Sequence, residues 1–356
     1  MPICQATIFT ILKEFSLDNG DLLIYPSLMG FKEIITILQD DLKKVDEYLK
    51  INFQSDVALI PTISAYLSNG GGKRLRPILV LAVSKLCGYN DGDSHIRYSC
   101  VVELIHAATL LHDDVVDKAD IRRGNPSANA KWGNNASVLV GDYLFSKSFY
   151  LMSEECNKRI ITLIADASKN VAEGEVKQLV YKYNLDTTED VYIDVITRKT
   201  AALISACCGI GAILGAVTPD KEEALISFGR NIGIAFQLVD DLLDYTSNET
   251  ILGKPVGNDL SEGKITLPLI HLYREANENE KEELRKIVSV EKISKEQLNR
   301  TIYLMNSHGA LDYTMDCARR FIENAKNNIA PLKTPASEKY FNALISLSDY
   351  ILERKN

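Results

Sequence analysis

The stretch IRYSCVVELIHAATLLHDDVVD, residues Ile96–Asp117, combines an apolar helical pattern with three closely spaced aspartates. Its apolar residues recur every three or four positions, which predicts a helix with a buried face. Asp113 and Asp117 are four residues apart and therefore share one face of that helix. Like charges at this spacing destabilise a helix, and burial increases the cost. These aspartates are therefore better explained by binding of cations than by the needs of the fold.

The same helical pattern continues through the rest of the chain, and alternating β patterns are nearly absent. Loops are short and rich in Gly, Pro, Asn and Asp, and none of them reads as a linker between domains. The sequence therefore predicts an all-α protein: a single large helical bundle of ten or more helices around a central cavity, at residues 29–356. Residues 1–28 carry a weak pattern and are predicted to be an extension of uncertain structure.

Composition and charge restrict the class of protein. The chain has 356 residues, 46% hydrophobic and 25% charged, with a net charge of -8 and no basic run, which argues against a nucleic-acid partner. Its seven cysteines form no C-x-x-C pair, a usage typical of reduced thiols in a cytoplasmic protein rather than of a disulfide framework or a zinc site. The first residues lack the basic region of a secretory signal.

One segment is long enough to span a membrane. TAALISACCGIGAILGAVTP, residues Thr200–Pro219, is uncharged over 20 residues. Arg198 and Lys199 directly precede it, and it is rich in small residues, which let helices approach closely. We interpret it as the central buried helix of the bundle, with a membrane span as the alternative, and predict no transmembrane segment.

A second aspartate motif repeats the first. The segment AFQLVDDLLDY, residues Ala235–Tyr245, ends another apolar helix and contains Asp240, Asp241 and Asp244. One such motif could be an acidic helix end, but two that face each other would form a cavity with carboxylates on both walls. Several metal ions bridging a polyanion would make that arrangement favourable, and Mg²⁺ is typically held by one or two carboxylates plus phosphate oxygens. Asp114 is rotated about 100° from Asp113 on the helix, so it is predicted to be a secondary ligand or an orienting residue.

Basic residues suited to phosphate lie close to both motifs. The turn GGGKRLRP, residues 70–77, places glycines and three cations before a helix, a favourable setting for an anion, although it lacks the spacing of a P-loop. Arg122 and Arg123 follow the first aspartate motif, and arginine can bind phosphate in a bidentate manner. Lys199, Lys254 and Lys264 lie beside further turns; a lone lysine is usually a solvated surface charge, but the last two are close to the acidic motifs.

Together these segments resemble the trans-type polyprenyl diphosphate synthases. The resemblance covers about residues 67–269 and rests on GGGKRLRP, LLHDDVVDKADIRRG, GDYLFS, RKTA and FQLVDDLLDY with the later LGKPVGNDLSEGKITLPL. The chain is most similar to the long-chain bacterial members, octaprenyl diphosphate synthases among them. The resemblance implies an isoprenoid synthase fold and a homodimer. It also implies Mg²⁺-dependent, repeated head-to-tail condensation of isopentenyl diphosphate with an allylic diphosphate, farnesyl or geranylgeranyl diphosphate.

The resemblance also implies roles for individual residues. It assigns the metal ions to two walls, formed by Asp113 and Asp117 and by Asp240 and Asp244, with Asp114 secondary. It assigns the allylic diphosphate to Arg122, Lys199 and Lys254, and the isopentenyl diphosphate to Lys73, Arg76, His106 and Arg123, while Lys264 is a further substrate-binding candidate. Thr200 and Gln237 would face the reacting carbon, where their oxygens stabilise positive charge. The catalytic set is therefore Asp113, Asp117, Lys199, Thr200, Gln237 and Asp240.

The helix before Asp113 is predicted to line the path of the growing tail. The residues one, two and three turns upstream are Ala108 with Thr109, then Ile105, then Val101 with Val102. A helical turn rises about 5.4 Å, close to one extended isoprene unit. In short-chain members a bulky aromatic near Ala108 or Thr109 blocks the tail, and both residues are small here. We therefore expect a long product, about C35 to C50 with C40 as the central value. Phe145 or Phe149 could form the floor, although simple core packing is the better explanation of either ring taken alone.

Alternative functions remain open at this stage. A terpene cyclase would usually carry a different second metal site and would not need GGGKRLRP. An inactive regulatory subunit of a heteromeric synthase should have lost acidic motifs, and both are intact. A geranylgeranyl-length synthase would keep the chemistry and shorten the product. A long product would suit the side chain of a quinone.

Overall fold

The computed structural model describes residues 26–69, 73–247, 256–290 and 293–354. Its helices run in chain order as α1 (Pro26–Ile37), α2 (Gln39–Asn52), α3 (Leu59–Asn69), α4 (Leu75–Leu86), α5 (Ser94–Val116), α6 (Ala128–Trp132), α7 (Asn134–Glu155), α8 (Lys158–Tyr181), α9 (Glu189–Ile196), α10 (Ala202–Leu214), α11 (Pro219–Thr246), α12 (Asn258–Ser261), α13 (Leu267–Glu275), α14 (Glu278–Val288), α15 (Lys295–Ser307), α16 (Ala310–Ile329) and α17 (Glu338–Glu353). Between α5 and α6, β1 (Ile121–Arg122) pairs antiparallel with β2 (Asn125–Pro126). The predicted all-α fold of more than ten helices is confirmed.

Local sequence explains where several helices begin. Asn277 and Glu280 form a reciprocal capping box at the start of α14, and Ser294 and Gln297 form another at α15. Pro219 begins α11, a position where its missing N–H costs nothing. One hydrophobic cluster extends from residue 31 to residue 351, so a single core joins the first described helices to the last. The predicted domain boundary at residue 28 stays a prediction, because residues 1–25 lie outside the described ranges.

The apolar segment predicted to be a central helix is buried. Helices α9 and α10 are joined by a π-helical segment, Thr197–Ala201, into one helix over Glu189–Leu214. Within the described ranges it is the one helix with the length and hydropathy of a membrane span, and 72% of its most apolar stretch is buried inside the protein. Helix α10 packs against α4, α8 and α11, and it ends at Leu214 rather than continuing to Pro219. Small residues at its surface suit such close packing, which supports a core helix.

The bundle brings the ends of several long helices together. Helix α5 packs along α7, and α11 packs against both α10 and α16. The first aspartate motif lies at the C-terminal end of α5, directly before the β1–β2 hairpin, and the second lies at the C-terminal end of α11. The π segment lies between α8 and α11. Four elements of the chain therefore supply polar residues to one region.

Candidate active site

The π segment Thr197–Ala201 is held by close backbone approaches on two sides. Gly174 of α8 lies against it so closely that a Cβ there would be 2.6 Å from the backbone nitrogen of Lys199. On the other side, a Cβ on Gly233 of α11 would be 2.5 Å from the Cα of Ala201. Both distances are shorter than real Cβ contacts, so both positions require glycine. Single π turns inside α-helices often occur at functional sites, and this one carries the predicted residues Lys199 and Thr200.

Thr200 and Gln237, predicted to face the reacting carbon, are in contact. The hydroxyl of Thr200 donates to Oε1 of Gln237 at 2.7 Å. The amide of Gln237 donates from Nε2 to Oδ1 of Asp241 at 2.7 Å, and the Tyr192 hydroxyl donates to the other oxygen, Oδ2, at 2.6 Å. Burial, and then the charge of Asp259, raises the pKa of Asp241 to about 8. Asp241 and Tyr192 therefore orient Gln237 from behind, a connection that the sequence pattern did not predict.

Asp113 and Lys199 meet through residues of α8 that were not predicted. Lys199 donates from Nζ to Glu175 at 2.6 Å and to Gln178 at 2.9 Å. Burial raises the pKa of Asp113 to about 7, and the nearby Glu175 carboxylate adds to that rise. The segment GEVKQ, residues 174–178, gives a weak signal of this contact with Lys199. Glu175 and Gln178 are three residues apart and share a helix face, and Gly174, which permits close approach, directly precedes Glu175.

Asp117, the last aspartate of the first motif, is held by two lysines. Lys264 donates to its Oδ2 at 2.9 Å, and Lys182 donates to its Oδ1 at 3.2 Å. Burial alone would raise the pKa of Asp117, but Lys264 and the other nearby lysines outweigh burial and lower it. The backbone N–H of Tyr183 donates to the Gly263 carbonyl at 2.8 Å, which ties the two lysine-bearing loops together. Lys264, a predicted residue, and Lys182, which was not predicted, therefore both contact the first aspartate motif.

Asp114 lies against a cation of the β1–β2 hairpin. Its side chain is fully buried, and Oδ1 accepts a hydrogen bond from Nε of Arg122 at 2.7 Å and forms an ion pair with Nη2 at 2.7 Å. Oδ2 of Asp114 has no hydrogen-bond partner among the described residues, so the prediction of a secondary metal ligand stays a prediction. The alternative part of the prediction, an orienting residue, agrees with the geometry, because Asp114 fixes the guanidinium of Arg122 beside the first motif.

The two predicted ligands of the second motif have different surroundings. Asp240 is 47% exposed and pairs with Arg354, which lies at the end of α17, at 3.3 Å. Asp244 is fully buried, and its Oδ2 accepts from the backbone N–H of Asp259 at 3.0 Å, so it anchors the start of α12. Asp240 is therefore accessible to a cation, and the prediction of Asp244 as a ligand stays a prediction. Within residues 26–69, 73–247, 256–290 and 293–354, no three His, Cys, Asp or Glu side chains form a metal-sized cluster.

The predicted isopentenyl diphosphate residues form a positively charged region around His106. Burial lowers the pKa of His106 well below its ordinary value, and the arginines facing it lower it further: Arg76, Arg123, Arg122 and Arg74. The imidazole is therefore neutral at physiological pH and can share a polar contact without adding charge. Arg122 and Arg123 also line a cavity of about 150 Å³ beside the β1–β2 hairpin. Lys254, predicted to bind the allylic diphosphate, lies outside the described residues.

Arg74 holds the basic turn in place. Its Nη1 donates to Glu103 at 2.5 Å and its Nη2 to Ser68 at 3.0 Å, while Asp46 lies 3.4 Å away. Its backbone has φ 50°, a strained left-handed conformation for a non-glycine residue. The side chain is 11% exposed, so it is largely shielded from solvent and lies between the three helices that carry these partners. The neighbouring Lys73 extends instead over the ring of Tyr350, at 5.1 Å from its centroid.

The predicted chain-length residues lie in the interior of the protein. Ala108, Ile105, Val101 and Val102 are all at most 1% exposed. Thr109 is partly buried, and its hydroxyl donates to the carbonyl of His106 at 2.8 Å. Phe149 is 44% exposed, so it does not fit the floor of an interior path. Phe145 is partly buried against the core, with its ring edge-on to Phe149 at 5.0 Å, and is the better candidate.

Comparisons with known proteins agree on one family. The family model described as Polyprenyl synthetase matches residues 57–305. Octaprenyl diphosphate synthase of Haemophilus influenzae is 41% identical over 92% of this chain and 98% of its own length. A polyprenyl synthase from Caulobacter crescentus, solved with calcium and isoprenyl diphosphate, has a TM-score of 0.88 and 38% identity over 92% of this chain and 98% of its own. A decaprenyl diphosphate synthase from Rhodobacter capsulatus has a TM-score of 0.85 and 41% identity over 92% and 99%.

Proposed function

This chain belongs to the polyprenyl synthetase family and is a trans-prenyltransferase that joins isopentenyl diphosphate to an allylic diphosphate, and we propose that its product is a long polyprenyl diphosphate of about C40. The observation that carries the residue assignments is the meeting of Asp113, Lys199, Thr200 and Gln237 around the π segment, with cations on either side. Similarity to the octaprenyl and decaprenyl synthases supports a product in the range C35 to C50.

The carboxylates fit the Mg²⁺ that this family uses through its aspartate motifs. Both carboxylate oxygens of Asp117 pair with lysine ammonium groups, and the exposed carboxylate of Asp240 pairs with the guanidinium of Arg354. Each carboxylate therefore lies in a setting that favours a cation beside it. Hard carboxylate oxygens are the ligands that Mg²⁺ prefers. We therefore propose Asp113, Asp117 and Asp240 as the ligands, for several ions in each site. Bound Mg²⁺ would neutralise the leaving diphosphate.

Cationic side chains then stabilise the same leaving group. Lys199, Lys264 and Arg122 are held by Glu175, Glu262 and Asp114, so they are oriented before the substrate arrives. Pre-oriented charges stabilise a developing anion without further rearrangement. Lys254 is proposed to join this set from the resemblance alone. The oxygens of Thr200 and Gln237 stabilise the allylic cation at the reacting carbon.

The second substrate is proposed to bind at the basic turn, through Lys73, Arg76, His106 and Arg123. The arginines that depress the pKa of His106 supply the charge for its diphosphate. The double bond of the isopentenyl group attacks the allylic cation and forms the new carbon–carbon bond. The resulting cation then loses a proton to the departing diphosphate, which restores a double bond. Holding both substrates in one geometry supplies much of the remaining rate acceleration.

A homodimer is proposed as the working form. Large hydrophobic residues are exposed on α7 and α8: Val138, Leu139, Phe149, Tyr150, Val176, Leu179 and Val180. An exposed apolar patch of this kind marks an interaction surface, and a second copy of the chain is the partner that the family resemblance implies. We also propose a cytoplasmic location, supported by the free cysteines of the described ranges.

Product analysis tests the proposal. The purified chain is incubated with labelled isopentenyl diphosphate, farnesyl diphosphate and Mg²⁺, and the products are separated by length after dephosphorylation. We expect a ladder that ends near C40. A ladder that stops at C20 would keep the chemistry and overturn the chain-length argument at Ala108 and Thr109. A folded chain that forms no product would point to the regulatory-subunit alternative.

A further inference from the structure

A buried chain of three hydrogen bonds runs from Tyr192 to Thr200. The Tyr192 hydroxyl donates to Oδ2 of Asp241, Oδ1 of Asp241 accepts from Nε2 of Gln237, and Oε1 of Gln237 accepts from the hydroxyl of Thr200. All three distances lie between 2.6 and 2.7 Å. Tyr192 is 4% exposed, Asp241 4% and Thr200 8%, and Gln237 between them is partly buried, so water has little access to these contacts.

This arrangement determines which way the Gln237 amide points. An amide has one oxygen that accepts and one NH₂ group that donates, and the two ends have nearly the same shape. While Asp241 is ionised, the reversed orientation would place Oε1 of Gln237 against Oδ1 of Asp241, two acceptors with no proton between them. The observed orientation instead leaves the amide oxygen beside the hydroxyl of Thr200. At that position oxygen stabilises a carbocation, and an NH₂ group would not.

The hydroxyl of Tyr192 fixes the orientation of the Asp241 carboxylate, and that carboxylate fixes the orientation of the Gln237 amide. With Oδ2 of Asp241 bound to it, Oδ1 has a fixed direction toward Gln237. Without the hydroxyl, Oδ2 would be a buried acceptor with no donor, a costly state that a rotation of the carboxylate would relieve. Rotation would remove the acceptor from Nε2 of Gln237 and release the amide.

We propose that Tyr192 is a positioning residue for the condensation, acting through Asp241 to keep the Gln237 amide oxygen directed at the reacting carbon. This inference rests on the proposed role of Gln237. Tyr192 is not among the residues proposed to bind either substrate, so its effect falls on the chemical step rather than on binding.

The test compares two Tyr→Phe variants that each remove one hydroxyl bonded to a carboxylate. Y192F removes the hydroxyl on Asp241, and the control Y313F removes the hydroxyl that donates to Glu189 at 2.8 Å, at the first residue of the same helix α9. We expect Y192F to lower kcat by about tenfold while both KM values stay within about twofold, and Y313F to leave both unchanged. Urea unfolding of each variant establishes that it is folded.

A double-mutant cycle separates positioning from simple packing. If Tyr192 acts through Gln237, Y192F lowers kcat by less than about twofold in a Q237A background. D241N, which keeps the shape of the side chain, is the second variant should Y192F unfold, and it is expected to lower kcat by a similar factor. A wild-type kcat in folded Y192F, or in D241N where Y192F unfolds, or a full tenfold loss of Y192F in Q237A, would overturn the inference and leave the proposed function standing. A folded wild-type chain without condensation would overturn both.

Discussion

Gly174→Ala is expected to displace Lys199 from its substrate-binding position. The added Cβ would lie 2.6 Å from the backbone nitrogen of Lys199, whereas ordinary contact begins at 3.4 Å, so α8 must move by 3.4 − 2.6 = 0.8 Å. The bond from Lys199 to Glu175 would lengthen from 2.6 Å to about 3.4 Å, beyond the usual range of N–H···O hydrogen bonds. Overpacking of this kind costs about 1–3 kcal/mol, and the higher helix propensity of alanine returns up to about 1 kcal/mol.

The assay has two parts. Urea unfolding followed by circular dichroism is expected to show a loss of up to about 2 kcal/mol of unfolding free energy. Steady-state kinetics is expected to show a KM for farnesyl diphosphate raised by about tenfold, the effect of misplacing one charge-assisted hydrogen bond. Ala172→Ser changes an exposed side chain two residues before Gly174 on α8 and serves as the control. A G174A protein with wild-type stability and wild-type KM would refute the argument that this glycine is required for the approach of α8 to the π segment.

Three further variants address the tail, the basic turn and the stability of the fold. Ala108→Phe places a ring in the interior of α5, about 7.5 Å along the helix from Asp113, and should shorten the product to about C20, as seen by chromatography of the dephosphorylated products. Arg74→Ala leaves Glu103 and Asp46 without their shared cation in a nearly dry site; it should lower the unfolding free energy by about 3 kcal/mol and raise the KM for isopentenyl diphosphate. Contacts with His95 and Lys85 lower the pKa of Asp41 below its unfolded value of 3.8. Ionised Asp41 therefore stabilises the fold above pH 3.8, and this stabilisation is lost as the pH falls through the lowered pKa. The difference in unfolding free energy between wild type and Asp41→Asn, about 1 kcal/mol at pH 7, should therefore shrink as the pH falls below 3.8, and a difference that stays constant would contradict this explanation.

Periodicity and motif spacing predicted the fold class and much of the site because both depend on local sequence. Residues four apart on an apolar helix share a face wherever the helix lies, so Asp113 and Asp117 could be placed together without a structure. The pairing of Thr200 with Gln237 came from the resemblance and agrees with the geometry.

The missed residues depend on tertiary contacts. Lys182 reaches Asp117 only because the Tyr183–Gly263 backbone bond joins two loops that are 80 residues apart. Glu175 and Tyr192 look like ordinary helix residues until the glycines of α8 and α11 bring their helices against the π segment. Asp114 and Asp244 follow the same spacing rule as their neighbours, and only the fold shows that both side chains are buried and that one oxygen of each accepts a hydrogen bond.

The wider turn at Thr197–Ala201 means that the two halves of one long helix are set at different angles about its axis. Each residue added to or removed from a helix rotates everything beyond it by about 100°. Removing one residue from this turn would give a more regular helix, with all its hydrogen bonds in the common pattern, and it would turn Tyr192 away from Asp241 while Leu203 and its neighbours kept their place in the core. The less regular helix therefore allows one half to pack in the core while the other half directs polar side chains toward the site. The five residues of the π turn set the rotation between the two halves.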